Sequence, residues 1–74
     1  MGRNQWVVPT PDGRWAQKGE GAAKATKIFD TQREAIKAGR QTARNQGTEL
    51  IIQGRDGKIR QRDSYGPDPH PPQG

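Results

Sequence analysis

The sequence predicts a single α+β domain of order β-β-β-α-β-β, one helix packed on an antiparallel sheet. Three observations carry that reading. Asp-Gly turns at Asp12-Gly13 and Asp56-Gly57 each separate two short β-prone runs, the strongest local sign of a hairpin. One stretch between them, Thr31 to Gln46, has helical rather than alternating spacing of its apolar residues. At 74 residues there is room for one domain and no second.

The elements follow in order. Gln5 to Thr10 reads as a strand, with β-branched Val7 and Val8 beside Trp6, closed by Pro9 and Pro11. Pro11-Asp12-Gly13-Arg14 is a turn in which proline pre-sets φ and glycine accepts positive φ. Trp15 to Lys18 returns as the second strand, and Gly19 to Ala23 is a loop of small residues. Ala25 to Phe29 is the third strand, with Ile28 and Phe29 on opposite faces.

Asp30 or Thr31 caps the helix, and Thr31-x-x-Glu34 has the form of a capping box. Gly47 ends it, because glycine accepts the left-handed conformation that terminates helices. Its inner stripe is Gln32, Ala35, Ile36, Gly39 and Ala43, small enough for close approach to a sheet. Glu49 to Gln53 carries Leu50-Ile51-Ile52 in a row, the pattern of an interior strand covered on both faces. Ile59 to Asp63 completes the second hairpin. The domain is therefore expected over 1–66. Residues 67–74, which hold four of the six prolines, are expected to form a flexible, proline-rich tail.

Composition narrows the function class. The net charge is +5, which favours polyanionic partners, DNA or RNA, or an acidic protein face. Only 27% of residues are hydrophobic and mean hydropathy is -1.23, so stability is expected to be marginal. There is no cysteine, hence no disulfide and no thiolate metal site. No run approaches a membrane span and the N-terminus lacks the apolar core of a signal peptide, so the expected location is the cytoplasm.

Signals of catalysis are sparse. The single histidine, His70, stands in the proline-rich segment, and the single serine, Ser64, has no histidine near it in sequence. The eight carboxylates are scattered, and several already have turn or capping roles. No catalytic residue, metal ligand or cofactor site is expected. The basic residues are better organised. Arg33, Lys37, Arg40 and Arg44 recur at i, i+4, i+7 and i+11 and form one line on the helix. Lys58, Arg60 and Arg62 alternate with Ile59 and Gln61, so all three are expected on one sheet face. These seven residues are the candidate phosphate contacts. Both sets also suit solvated surfaces, and an arginine ladder on an edge strand also guards against edge-to-edge aggregation. A protein-interaction module, using the sheet edge with Trp6 and Trp15, is the alternative, and a homodimer is compatible with either reading.

Several strings together resemble the small bacterial family DUF2188: Trp6-Val7-Val8-Pro9, Gly13-Arg14-Trp15-Ala16-Gln17-Lys18-Gly19-Glu20-Gly21, Asp30-Thr31-Gln32-Arg33-Glu34-Ala35, Arg44-Asn45-Gln46-Gly47, Gly54-Arg55-Asp56-Gly57-Lys58-Ile59 and Ser64-Tyr65-Gly66. The resemblance covers nearly the whole chain and implies a compact bacterial domain; the family's function is unknown, so it implies no site residues. A looser likeness in element order links the meander and helix to plant AP2-type and phage-integrase arm-binding domains. It implies DNA reading by a sheet face bearing Arg14, Lys18 and Lys27, with Trp15 as a base contact. HicB-like antitoxin domains share the order and imply a protein partner instead.

Overall fold

A computed structural model describes residues 2–66; the expected proline-rich tail, 67–74, lies outside the described residues. The elements are β1 (Gln5–Pro9), β2 (Trp15–Gly19), β3 (Lys27–Phe29), α1 (Gln32–Gln46), β4 (Glu49–Gln53) and β5 (Ile59–Ser64). This is the expected order of elements and the expected α+β class. The sheet has five strands in the order β3-β2-β1-β4-β5. Three of its pairings are antiparallel, but β1 and β4 run parallel, with Gln5, Trp6 and Val7 beside Leu50, Ile51 and Ile52. The sheet is thus mixed rather than wholly antiparallel. The three-stranded segment before α1 and the hairpin after it join through β1 and β4, and crossing over the helix brings β4 back in the direction of β1.

Both turns form as their sequences require, and by the same bonds. The Gly13 amide donates to the Thr10 carbonyl at 3.1 Å and the Gly57 amide to the Gly54 carbonyl at 2.9 Å. Gly13 and Gly57 have φ of 88° and 81°, where a side chain would be strained. The helix is capped by Thr31, whose hydroxyl accepts from the Glu34 amide at 3.2 Å. Glu34 does not reach back to the cap backbone; its carboxylate accepts from the Thr31 hydroxyl at 3.2 Å. Gly47, at φ 67°, ends the helix, and the Thr48 amide closes the last turn on the Ala43 carbonyl at 2.9 Å.

Alternation along the strands divides the molecule into two surfaces. Val7, Leu50, Ile52 and Trp15 point toward α1 and pack with Ala35 and Ala43, and Phe29, Ile36 and Tyr65 close the margins of this core. Gln17 is also buried on this side, donating to Gln5 Oε1 at 3.2 Å and to Thr42 Oγ1 on the helix at 3.0 Å. Those bonds satisfy amides that would otherwise be costly to bury. Among the described residues no layer lies over the opposite sheet face. Ile51 is nevertheless 2% exposed there, sheltered in its row between Trp6 and Arg62. The apolar triplet of β4 marks an interior strand, as expected, but only one of its faces has a helix over it.

Candidate nucleic-acid interface

Helical geometry places Arg33, Lys37, Arg40 and Arg44 along one exposed line of α1. None of the four is in an ion pair among the described residues, whose salt bridges are Arg14–Asp12, Arg60–Asp56 and Arg62–Glu49. Arg33, Lys37 and Arg40 border a shallow depression floored by Gln32 and Ile36. Ile36 and Gln32 also line a neighbouring cleft of about 570 Å³ whose far side carries Arg55 and Arg60. The two depressions are contiguous through Ile36. Cations from the helix and from the second hairpin therefore border one strip, on the flank of α1 that faces β5.

The hairpin ladder itself does not form as the alternation predicts. The register Ile52↔Gln61 followed by Gln53↔Ile59 leaves Arg60 as an extra residue, a β-bulge. Arg60 and Gln61 consequently line the same cleft on the helix side. Arg62, opposite Ile51, projects from the bare sheet face, 4.0 Å from Glu49. Lys58 stays exposed in the turn. So Arg33, Lys37, Arg40 and Arg60 come together with Arg44 continuing the helix line, while Arg62 and Lys58 lie apart. No glycine or proline in β5 announces the bulge, which is why spacing alone misplaces Arg60.

Arg55 has a place in the strip that its turn position does not suggest. Its guanidinium carbon lies 4.9 Å from the centroid of the Trp15 ring and its Nη1 donates to the Gly13 carbonyl at 3.0 Å. It thereby ties the two Asp-Gly turns together. In the first turn, the Thr10 hydroxyl and then the Arg14 guanidinium, 2.9 Å away through Nε, hold the Asp12 carboxyl down to about 2. The sheet face implied by the likeness to AP2-type domains does not assemble. Trp15 is 4% exposed beneath the helix layer, and Lys27 lies 5.3 Å over Phe29 on that same side. Lys18 projects from the other face, and Arg14 belongs to a turn.

The match to the family described as "Uncharacterized protein conserved in bacteria (DUF2188)" spans residues 5–65, every strand and the helix. The chain belongs to the DUF2188 family. It is similar to "Uncharacterized protein YdaT" of Bacillus subtilis (strain 168), 36% identical over 62 residues, or 84% of this chain. The matched stretch is 41% of YdaT, so the chain spans less than half the length of that relative. No solved structure matches. Among the described residues no helix is long and apolar enough to cross a membrane, and no three His, Cys, Asp or Glu side chains group to hold a metal ion.

Proposed function

We propose that this DUF2188 protein is a small non-catalytic nucleic-acid-binding protein that holds the phosphate backbone along the flank of α1 facing β5. The observation that carries the reading is the strip around Ile36: Arg33, Lys37 and Arg40, in no ion pair among the described residues, on one border, Arg55 and Arg60 on the other, with Asp30 the one acid in its lining among those residues. The helix cations, in no ion pair among the described residues, exchange their counterions for phosphates on binding, which is favourable at low salt, whereas Arg60 also has Asp56 as a partner at 3.3 Å. The strip is bordered mainly by cations, and the amide of Gln32 is already spent on the Gln53 carbonyl at 2.9 Å, so the contacts are taken to be to the backbone and base sequence to matter little.

The protein-interaction reading rests on a different surface, the bare sheet face, where Trp6, Val8, Ile28 and Ile59 stand outside the core. One titration separates the two. Wild-type protein is titrated with a short duplex, a single strand and an RNA over a series of salt concentrations. Binding is expected to weaken with salt, and Arg33→Gln/Arg40→Gln should reduce the slope on duplex by roughly two units, about 0.9 for each phosphate that is no longer neutralised. Both side chains are exposed, so circular dichroism should be unchanged. Wild-type protein that binds none of the three ligands at low salt, or a slope unaltered in the double variant, refutes the proposal.

A further inference from the structure

We infer, on the reading that the strip binds nucleic acid, that the cleft between the start of α1 and the second hairpin takes one unpaired nucleobase. The strip then binds single strands, RNA or DNA, in preference to duplex. The cleft, about 570 Å³, falls in the size range of small-ligand sites. Phosphate contacts alone do not account for its lining. Arg55 and Arg60 stand on its hairpin side, but edges of Trp15, Ile36 and Ile52 also line it, together with Asp30.

Asp30 argues for a base. It is exposed and in no ion pair among the described residues. It does not make the helix cap bond either, because the Glu34 amide donates to the Thr31 hydroxyl. On a surface that held phosphates only, such an acid would repel the ligand and weaken binding. An unpaired base gives it a partner instead. Each base carries at least one N–H on its Watson–Crick edge, and a carboxylate accepts from it. In a duplex that edge is taken by the opposite base, so Asp30 can bond only an unpaired one. Every base offers such a donor, which agrees with little dependence on sequence.

The rest of the cleft suits the ring of that base. Arg55 is already held over the Trp15 ring at 4.9 Å and by the Gly13 carbonyl at 3.0 Å. Its guanidinium is thus ordered before a ligand arrives, and unpaired bases stack on arginine planes as they do on aromatic rings. Ile36 and Ile52 add apolar contact. The flanking phosphates fall to the rims: Arg60 on the hairpin, and Arg33, Lys37 and Arg40 along the depression that continues past Ile36.

Fluorescence anisotropy of the full chain at low salt tests this with three labelled ligands. They are a short, unstructured, mixed-sequence DNA strand, its RNA counterpart, and the blunt duplex of that DNA strand with its complement. Backbone contact alone favours the duplex, which carries the denser charge and releases more counterion per phosphate. A base in the cleft reverses the order: the single strands should bind roughly tenfold tighter, as one stacked base allows, the tighter strand naming RNA or DNA as the ligand. Asp30→Ala sharpens the contrast, since removing an acid from a purely phosphate-binding strip would raise every affinity. Here it should weaken single-strand binding roughly fivefold and leave duplex binding equal or tighter. Should that variant unfold, Trp6→Phe leaves Trp15 as the single tryptophan, whose emission should be quenched by the single strands and not by the duplex. A duplex bound as tightly as the strands, a folded Asp30→Ala chain that binds strands no more weakly, or Trp15 emission unmoved by a bound strand overturns the inference and leaves the backbone reading standing. Failure to bind any of the three ligands overturns both.

Discussion

Replacing Gly39 with alanine sets two well-defined effects against each other. Gly39 lies buried in the interior of α1. In an exposed helix the change would stabilise by about 1 kcal/mol, since glycine has more backbone freedom to lose. Here a Cβ would come 2.9 Å from Leu50 Cδ1 and 3.3 Å from Val7 Cγ2. Neither neighbour can easily give, as both are fully buried in the centre of the core. Forcing a methyl into such a site costs about 1–3 kcal/mol. The packing term exceeds the propensity term, and a net loss of about 1 kcal/mol is expected. For a domain of this size that corresponds to a fall in melting temperature of about 4–8 °C, read by far-UV circular dichroism. Leu50→Val removes the atom that the new methyl would approach most closely. The double variant should therefore lose less than the sum of the two single changes. A Gly39→Ala protein that melts higher than wild type would show that the helix sits further from the sheet than these distances state.

Two further outcomes are expected. The Asp12 carboxyl, held down to about 2 by the Thr10 hydroxyl and Arg14, should titrate near that value in a carbon-detected NMR titration. Its depressed value means that its contribution to stability is complete above about 3.9 and is lost as the pH falls toward 2. Asp12→Asn should remove that part of the pH dependence, and a carboxyl titrating near 4 refutes the assignment. Arg55→Ala deletes both the bond to the Gly13 carbonyl and the stacking on Trp15, at a cost of about 1 kcal/mol. Trp15 emission should shift to the red, and an unchanged spectrum would mean that the two turns are not linked through Arg55.

Most of the local structure was legible in the chain because it is decided by residues close in sequence. Proline, aspartate and glycine set the two turns, and Thr31 and Gly47 delimit the helix. Small residues at 35, 39 and 43 mark the buried stripe. What the spacing could not reveal is which strands become neighbours. Alternation reports the face on which a side chain stands, and says nothing about the strand beside it, so the parallel pairing of β1 with β4 had no local sign. The same limit separated the two tryptophans. Trp15 enters the core while Trp6 projects from the opposite face, its Nε1 donating to Glu20 at 3.1 Å. The basic surface was half legible. The helix line depends on a fixed period, whereas the ladder on β5 depended on an alternation that one extra residue interrupts.

The central place of β1 has a consequence for how the chain comes to be folded at all. The first strand made is the one that needs partners on both sides, and β2 supplies one of them within a few residues. The other is β4, which places Leu50 beside Gln5 near the far end of the chain. A growing polypeptide can close the first hairpin early, but Val7 has no helix above it until residue 46 has been made and no β4 to lie against until residue 53. Loop closure over that span must come before the core rewards it, which slows folding relative to a meander of local pairings. Protease protection of ribosome-bound chains of increasing length should accordingly arrive in one late step. The sheet is begun at its middle, and that middle stays open until β4 arrives, with β5 added at the edge afterwards.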